Sequence, residues 1–401
     1  MRVLHVIGGD LKYGASKGAF ILHDALLKLG IESHILNDTP IKNEDTRKNI
    51  TYINTSFYKV FLNKVFVNSE KILKSIFLHS PRETFTLGLF GFDITKTTEY
   101  KQADIIHLHW LNQGFVKLST LSKIDKPIVW TLRDMWAFTG GSHYTMDFEN
   151  YEKNKLSQII RNHKKKIYSK NFHFVTISEW LSNKARKSDC LNHFQIKTMY
   201  NNIDLESFSP VSKEIGKSNL NLKTDKQIIL YGANNPQSKR KGWDLFVNAL
   251  KKLDKKKYFL LIFGKFWSHK TLETIDIEYK SIGFVNDKKI LNSIYSCADV
   301  FVASSIQDGW PKTFAEAMYC NTPVVCFKNT SISEIVDHKV NGYIAEDFDA
   351  DKLKEGIEWI LENVKKNYFK KDITKIKIMN YSSENIAKNY IKLYKEILYK
   401  K

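Results

Sequence analysis

Two carboxylates lie on either side of a predicted strand-to-helix turn. Seven residues separate Asp308 from Glu316 in the stretch 304–318, SSIQDGWPKTFAEAM. The preceding ADVFVAS predicts a buried strand, and the following FAEAMYC predicts a helix. Carboxylates accept hydrogen bonds from sugar hydroxyls, Gly309 lets a ligand approach the backbone, and a helix N-terminus attracts phosphate. The stretch therefore predicts a binding site for a polyol that carries phosphate.

A structural interpretation of Glu316 is also open. Thr313-x-x-Glu316 has the spacing of a capping box, in which Thr313 caps the helix and Glu316 reaches back to its N–H. A capping box does not account for Asp308 or for Trp310, which we expect to be exposed beside Gly309. We therefore expect Glu316 to act both as a helix cap and as a ligand-binding group.

A basic turn precedes another predicted helix. Lys239, Arg240 and Lys241 follow an apolar strand and lead directly into WDLFVNALKKL. At that position they lie beside the free backbone N–H groups of the helix, which suits a diphosphate. Taken alone, the segment also fits a solvated basic turn.

Two further loops carry chemically useful side chains. HLHWLNQGF (107–115) and TLRDMWAFTGGSHY (131–144) each follow or continue an apolar strand. His107 alternates inward with its strand and is expected to be structural, whereas His109, Arg133, Asp134 and His143 are better placed for a ligand. His107 and His109 could begin a metal site, but no third ligand follows at a recognisable spacing, so no metal is predicted.

The first strand, RVLHVIG, runs into a glycine-rich turn with glycines at 8, 9, 14 and 18. A dinucleotide fingerprint needs Gly-x-Gly-x-x-Gly and an acid about 20 residues further on. Asp38 fits the acid, but the glycine spacing does not fit, which disfavours a nicotinamide enzyme. The glycines still permit close approach of a ligand to a helix N-terminus.

The elements that carry these groups alternate between strands and helices. A chain of 401 residues favours two domains of about 200 residues each. Strand–loop–helix units begin at residue 2 and again at QIILYGANN, so we predict an α/β fold with two doubly wound, Rossmann-like domains facing a central cleft. The predicted domains are 1–205 and 206–380, with a polar linker at 200–226 and a C-terminal helix, 381–401, packing back on the first domain.

Composition restricts the class of protein. Hydrophobic residues make up 43% of the chain and aromatic residues 13%, which is ample for globular cores. The net charge of +19 fits an anionic partner or a general lysine bias, but no nucleic-acid-binding motif accompanies it. Four unpaired cysteines, no signal-peptide pattern and no apolar run of about 20 residues predict a cytoplasmic protein.

The segment 57–78, FYKVFLNKVFVNSEKILKSIFL, is amphipathic on a helical wheel. Its lysines share one side and its large apolar residues share the other. It fits either a surface helix that faces the core or a helix that lies on a membrane surface.

The region SSIQDGWPKTFAEAMYCNTPVVCF…SEIVDHKVNGYIA resembles the donor site of GT-B glycosyltransferases of family 4. That family's signature is a glutamate, seven residues and a second glutamate, ahead of a Pro-Val-Val strand. The resemblance covers nearly the whole chain, since YNNIDLESFSP is similar to the interdomain linker and KRKGWDLFVNAL to the phosphate-binding loop. HLHWLNQGF and KPIVWTLRDMWAFTGGSHY resemble the subgroup that builds bacterial colanic-acid-type capsule and O-antigen polysaccharides.

The resemblance implies a retaining, metal-independent transfer of a sugar from a nucleotide-diphosphate sugar. Glu316 would hold the ribose hydroxyls, Asp308 and the backbone of 309–313 the donor sugar, and Lys241 with Arg240 the leaving diphosphate. The acceptor would bind the first domain around Gly14, His109 and Asp134. The expected catalytic residues are Asp308, Lys241, His109 and Asp134. The expected donor-binding residues are Gly14, Arg240, Lys241, Asp308, Gly309, Trp310, Pro311, Lys312, Thr313 and Glu316. The expected acceptor-binding residues are His109, Trp110, Arg133 and His143.

The chain departs from the family pattern at four positions. The first signature acid is Asp308 rather than glutamate, and Arg133 stands where the subgroup usually has a histidine. Ala233 replaces an arginine that often follows the domain's first glycine, which leaves more of the phosphate binding to Lys241. Asn321 replaces a glycine, a tolerable change because asparagine adopts left-handed conformations.

These observations together predict a cytoplasmic glycosyltransferase, peripheral on the inner face of the plasma membrane, that extends a surface polysaccharide. The expected partners are a nucleotide sugar, a lipid-linked or oligosaccharide acceptor and the anionic membrane, with no cofactor, metal or nucleic acid. Two alternatives stay open: a GT-B sugar-nucleotide epimerase, and a relative that binds sugar nucleotides without transferring the sugar.

Overall fold

The computed structural model describes residues 1–39, 49–54, 56–77, 84–147, 154–235, 238–265, 269–366, 368–369 and 371–399. These residues form two compact units. Unit 1 comprises 1–202 and 383–401, and unit 2 comprises 203–382. The boundaries expected at 205 and 380 lie close to the points where the chain passes from one unit to the other.

Unit 1 is built on a seven-stranded parallel sheet. Its strands are β1 (Arg2–Ile7), β2 (Glu32–Asn37), β3 (Ile50–Tyr52), β4 (Ile105–Leu108), β5 (Ile128–Leu132), β6 (Phe172–Thr176) and β7 (Ile196–Thr198). The strand order is β3-β2-β1-β4-β5-β6-β7, so the direction of winding reverses between β1 and β4. Every residue of β4 and β5 is buried, which is why both read as continuous apolar runs in the sequence.

The helices of unit 1 pack against this sheet and against one another. They are α1 (Gly14–Lys28), α2 (Phe57–Phe77), α3 (Thr98–Gln102), α4 (Leu118–Leu121), α5 (Lys155–Ile167), α6 (Glu179–Arg186) and the C-terminal helix Ser383–Tyr399. The last of these belongs to unit 1 although it follows unit 2 in the chain. Its buried Tyr390 and Tyr394 pack in one apolar cluster with Val3, Leu26 and Ile105.

Unit 2 repeats the plan with six parallel strands. They are β8 (Gln227–Asn234), β9 (Tyr258–Lys265), β10 (Tyr279–Gly283), β11 (Val300–Ala303), β12 (Val324–Phe327) and β13 (Gly342–Ala345), in the order β10-β9-β8-β11-β12-β13. Its helices are α7 (Lys213–Asn219), α8 (Trp243–Leu250), α9 (Lys288–Cys297), α10 (Lys312–Tyr319), α11 (Ala350–Lys365) and α12 (Lys371–Met379), and the C-terminal helix Ser383–Tyr399 is therefore α13. The winding here reverses between β8 and β11.

The predicted polar linker, 200–226, includes the point where the chain passes from unit 1 to unit 2. It contains α7, where the Ser212 hydroxyl accepts a hydrogen bond from the N–H of Ile215. Lys213 donates to the buried Asp299 at 2.6 Å, and Gly216 packs against the backbone of α9. Helix α7 was not predicted, because a helix of seven residues gives too little periodicity to recognise.

The four cysteines are buried and free, as predicted for reduced thiols. None of the helices that the structure describes combines the length and the apolar character required to cross a bilayer.

Candidate functional site

The predicted donor-binding residues of unit 2 follow two neighbouring strands. The basic turn follows β8 and the signature turn follows β11, and these strands pair where the winding reverses. Backbone N–H groups of Ile306 and Gln307 donate to the Arg240 carbonyl at 2.8 and 3.2 Å, which joins the two turns. In open α/β sheets this position, beyond the carboxyl ends of the strands, is where ligands bind.

Asp308 meets both cations of the basic turn. Lys241 Nζ donates to Asp308 Oδ2, and Arg240 Nη1 lies 3.5 Å from the same oxygen. Burial alone would raise the pKa of the Asp308 carboxyl, but Lys241 and Arg240 outweigh it and hold that pKa below its ordinary value. The three groups therefore form a buried cluster that carries one net positive charge.

The shape of the basic turn depends on Gly242, which has a φ of 66° and begins α8. A Cβ at this position would lie 2.0 Å from the Ser304 carbonyl oxygen, so a side chain does not fit. The Ser304 hydroxyl in turn donates to the Lys241 carbonyl at 2.9 Å. Ser304 was not among the predicted site residues, although its position directly after β11 could have indicated it.

Helix α10 is not capped as predicted. Pro311 occupies the N-cap position and no side chain caps the helix, so the proposed Thr313–Glu316 capping box is wrong. Glu316 Oε2 instead accepts a hydrogen bond from the Tyr295 hydroxyl at 2.9 Å, and Oε1 lies 3.8 Å from Lys288 Nζ. The carboxylate is thus held by two residues of α9, and it does not cap α10.

Trp310 was expected to be exposed, and this too is wrong. Its exposed fraction is 2%, and its ring packs at 5.0 Å from Phe314 and 5.6 Å from Tyr381. The Trp310 ring therefore stabilises the turn by packing inside unit 2, and it does not offer a surface to a ligand. Of the other predicted residues in this turn, Gly309 is buried, and Pro311, Lys312 and Thr313 are half-buried.

The predicted histidines of unit 1 lie in a buried cluster with a third member, His5. His5 and His107 are register partners on β1 and β4, and His5 Nδ1 lies 3.0 Å from His109 Nε2. Burial lowers the pKa of all three imidazoles well below the usual value, and Arg133 lowers it further. His107 is structural, as expected. His109 is buried, with an exposed fraction of 4%, and its Nδ1 has no hydrogen-bond partner among the described residues, so its contact with a substrate stays a prediction.

The three histidines place nitrogen atoms within 4.8 Å of one another, which raises the question of a metal. His107 Nδ1 and Nε2 already lie 2.6 and 2.7 Å from the Tyr394 and Thr131 hydroxyls. A metal ion would have to break one of these bonds and would meet the positive charge of Arg133. The donor set therefore does not suit a metal.

Asp134 and His143 form an acid–imidazole pair in unit 1. Asp134 Oδ2 lies 2.7 Å from His143 Nδ1, and Oδ1 accepts from the Trp136 N–H at 2.9 Å. Burial would raise the pKa of the Asp134 carboxyl, but His143 reverses this and the pKa lies below its ordinary value. The Trp110 ring lies 6.3 Å from the His143 ring, so three of the predicted residues come together here.

Lys164 on α5 holds this loop in place and was not predicted. Its fully buried ammonium lies 3.8 Å from the centre of the Trp136 ring and donates to the carbonyls of Trp136 and Thr139. Burial lowers the pKa of Lys164 to about 7. Nothing in the sequence distinguishes this lysine from its solvated neighbours, because α5 carries four lysines.

The glycine-rich turn lies at the carboxyl end of β1. The Gly8 N–H donates to the Trp110 carbonyl at 2.6 Å, and the Gly9 N–H donates to Asp38 Oδ1 at 2.7 Å. Asp38 thus closes the turn, which is a structural use of the acid that the dinucleotide pattern had assigned to a ribose. Gly14 is exposed at the start of α1, with a φ of 51°.

Two comparisons of sequence bear on what this arrangement does. Residues 212–375 match the family described as "Glycosyl transferases group 1". An uncharacterized 41.2 kDa protein in the cps region of Klebsiella pneumoniae is 25% identical over 70% of this chain and 76% of its own length. An uncharacterized glycosyltransferase of Methanocaldococcus jannaschii is 24% identical over 77% of each chain. N,N'-diacetylbacillosaminyl-diphospho-undecaprenol alpha-1,3-N-acetylgalactosaminyltransferase of Campylobacter jejuni is 26% identical over 49% of this chain and 53% of its own.

Solved structures share the fold over the whole chain. Sucrose-phosphate synthase of Thermosynechococcus elongatus has a TM-score of 0.74 at 16% identity, covering 100% of both chains. HepE of Anabaena, in complex with UDP-glucose, has a TM-score of 0.66 at 14% identity, covering 99% of this chain and 100% of its own. Residues 212–375 thus belong to the glycosyl transferases group 1 family, and the chain is a glycosyltransferase with the GT-B fold.

Proposed function

We propose that this glycosyltransferase moves a sugar from a nucleotide-diphosphate sugar to a lipid-linked saccharide, with retention and without a metal, in surface polysaccharide biosynthesis. The observation that carries this proposal is the cluster of Lys241, Arg240 and Asp308 at the winding reversal of unit 2. Two cations held by one carboxylate at the start of a helix suit the diphosphate of a sugar nucleotide.

The chemistry follows from the charges. When the bond between the sugar and the diphosphate breaks, negative charge develops on the departing phosphate oxygen. Lys241 and Arg240 stabilise that charge from a site with little exposure, where electrostatic interactions are strong. They thereby supply the neutralisation that a divalent cation provides in other enzymes. Asp308 orients Lys241 before the donor binds and accepts hydrogen bonds from the sugar hydroxyls afterwards.

The acceptor is assigned to unit 1. Asp134 and His143 form a hydrogen-bonded acid–imidazole pair there, with Trp110 beside them as a surface on which a sugar ring packs. We assign His109 a supporting role, since it bonds His5 and its carbonyl accepts from the Trp130 indole at 3.2 Å.

The relatives support a lipid-linked acceptor and a polysaccharide product. The Campylobacter relative is named for transfer to a diphospho-undecaprenol saccharide, and the Klebsiella relative is encoded in a capsule region. The Anabaena neighbour is named as a complex with UDP-glucose, which makes uridine nucleotides the first donors to test.

A thermal-shift screen tests the donor. A ligand that binds the folded chain alone raises its apparent melting temperature, by an amount that grows with concentration above the Kd. We expect one uridine or guanosine diphosphate sugar to raise the melting temperature more than the others. With a lipid-linked acceptor added, the same donor should release its nucleotide, at an undiminished rate in EDTA.

Other outcomes of this screen contradict parts of the proposal. Conversion of the donor without an acceptor indicates an epimerase, and binding without turnover across a panel of acceptors indicates a binding protein. A rate that depends on an added divalent cation overturns the assignment of Lys241 and Arg240 as sufficient for charge stabilisation.

The exposed side of helix α2 has the features of a membrane-binding surface. Its outward side carries a row of large apolar side chains whose exposed fractions range from 39% to 89%. They are Phe57, Tyr58, Phe61, Val65, Ile72 and Ile76. Glu70, on the opposite side, is buried and accepts hydrogen bonds from the N–H groups of Leu87 and Gly88 at 3.3 and 2.7 Å, which fixes the helix with this row outward. Lys64 and Lys71 are exposed beside the row.

We propose that this row enters the headgroup region of the anionic inner leaflet, with the lysines bound to its phosphates. Phe61→Asp combined with Ile72→Asp should weaken binding to vesicles that contain phosphatidylglycerol by about tenfold or more. Co-sedimentation measures this, and Ile373→Asp combined with Ile376→Asp, which changes side chains 49% and 66% exposed on α12, is the control matched in charge. Equal binding by all three proteins at low salt, where the attraction is strongest, contradicts the proposal.

A further inference from the structure

Arg133 is a buried cation that has no carboxylate partner in the described part of the chain. Its exposed fraction is 9%, and its Nη1 donates to the Asn201 side-chain oxygen at 2.9 Å. Its Nε has no hydrogen-bond partner among the described residues. An arginine in such surroundings is normally paired, because an isolated buried charge is strongly unfavourable.

The neighbouring side chains do not supply a counter-charge. The His5, His107 and His109 imidazoles have lowered pKa values, so at neutral pH they carry no charge and cannot balance a guanidinium. Burial also lowers the pKa of Arg133, to about 10, which still leaves it protonated at neutral pH. The positive charge therefore persists without compensation from the residues that the structure describes.

The position of Arg133 is that of a ligand-binding residue. It directly follows β5, whose neighbour β4 lies at the winding reversal of unit 1. Gly18 of α1 makes room for it, since a Cβ there would lie 2.5 Å from Arg133 Nη1 and 3.1 Å from Asn201 Oδ1. The chain thus keeps a glycine inside a helix, where alanine is more stable, at the place where this guanidinium lies.

We propose that Arg133 binds an anionic group of the acceptor, either a sugar carboxylate or a phosphate ester, and so makes the enzyme selective for an acidic acceptor. This rests on the proposed function only in assigning the bound group to an acceptor. A carboxylate or phosphate matches the planar array of donors on a guanidinium and provides the missing negative charge. The same site would reject a neutral sugar, which leaves the buried charge unpaired.

Binding of small anions to the full chain tests this proposal. Inorganic phosphate and D-glucuronate are the probes, D-glucose is the neutral analogue, and ionic strength is held constant with KCl. We expect wild-type protein to show a saturable rise in melting temperature with at least one of the two anions and none with D-glucose. Arg133→Met should weaken that response about 10- to 100-fold in apparent Kd, the factor expected for losing a hydrogen-bonded charge pair.

Two further variants separate this effect from general changes. Arg186→Met, which removes an exposed arginine of α6 in the same unit, should respond to the anion as wild type does. Gly18→Ala should reproduce the loss seen for Arg133→Met while keeping the charge, because the new methyl group displaces the guanidinium. Each variant's melting temperature without ligand serves as its own reference, so altered stability does not obscure the result.

The outcomes are distinct. If Arg133→Met loses the response to glucuronate alone, the bound group is a carboxylate, and if it loses the response to phosphate alone, the bound group is a phosphate ester; phosphate bound at Lys241 and Arg240 gives a response that Arg133→Met retains. Equal responses in wild type and Arg133→Met, or none in wild type, overturn the proposal. Donor binding is measured separately with sugar nucleotides, so a chain that binds anions through Arg133 but no sugar nucleotide contradicts the proposed function and leaves this inference standing.

Discussion

Lys241→Met will lower the rate constant for sugar transfer by about 10²- to 10³-fold, the loss typical of removing one preorganised group that stabilises transition-state charge. Methionine keeps most of the length and volume of lysine but has no charge to offer the departing diphosphate. The effect should be on kcat as well as on kcat/KM, because the charge on the phosphate oxygen is greatest in the transition state.

Stability must be separated from catalysis in this variant. Removing Lys241 leaves the Asp308 carboxylate, whose side chain is 13% exposed, with only Arg240 nearby. Because Arg240 still faces the carboxylate, the loss of this charged hydrogen bond is expected to lower the free energy of unfolding by about 1.5 to 3 kcal/mol. The double variant Lys241→Met with Asp308→Asn removes both charges and should regain most of that stability without regaining activity.

The four proteins to compare are wild type, Lys241→Met, Asp308→Asn and the double variant. Urea denaturation gives their free energies of unfolding and steady-state kinetics gives their rates, which separates stability from catalysis. If Lys241→Met has the same kcat as wild type, another group neutralises the diphosphate. Recovery of activity in the double variant would show that Lys241 acts only by restraining Asp308.

The parallel sheets were predictable from sequence because their strands are buried on both faces. ADVFVAS contains all of β11, and PIVWTL contains all of β5, since every position in each strand is apolar or small. The loops that hold the predicted site residues could be located because ligand-binding groups in such sheets follow the carboxyl ends of strands.

Pairings between distant positions were not predictable. His107 and His109 were recognised as a pair, but His5 lies about 100 residues earlier and joins them only through the register of β1 with β4. Alternation along β1 places His5 at the same depth as His107 once that register is known. A single sequence carries no information on register between strands, so the third histidine was missed.

Local sequence motifs gave wrong predictions where a contact with a residue distant in the chain determines the position of the side chain. The Thr313–Glu316 spacing matches a capping box, yet Pro311 begins the helix and Glu316 is held by Tyr295, which lies 21 residues earlier in the chain. Trp310 was expected to be exposed because it follows a glycine in a turn. Tyr381, on a distant part of the chain, covers its ring.

Asn321 shows a departure from the family pattern that the fold accommodates. Its φ is 67°, in the left-handed region that a glycine would occupy at the end of α10. Asparagine tolerates this conformation better than most residues, so the substitution was predicted to be acceptable, and the backbone has the expected form.

Glu316→Gln will weaken discrimination between a ribonucleotide and its 2′-deoxy form. Glu316 is proposed to accept hydrogen bonds from the ribose hydroxyls, and a carboxylate does so more strongly than an amide. We expect Glu316→Gln to raise the Kd of the preferred nucleoside diphosphate about 10- to 100-fold, which corresponds to the loss of hydrogen bonds to a charged group. Wild-type protein should bind the 2′-deoxy nucleotide with a similar deficit.

The comparison of two ligands with two proteins isolates the contact between Glu316 and the ribose. If the ribose 2′-hydroxyl binds the Glu316 carboxylate, removing both groups lowers the binding free energy little more than removing either one alone. Tyr295→Phe is the matched control, because it removes the hydroxyl 2.9 Å from Glu316 Oε2 and leaves the carboxylate in place. It should keep most of the discrimination. Calorimetric titration measures all the affinities, and a Glu316→Gln protein that still distinguishes the two nucleotides as wild type does would place the ribose elsewhere.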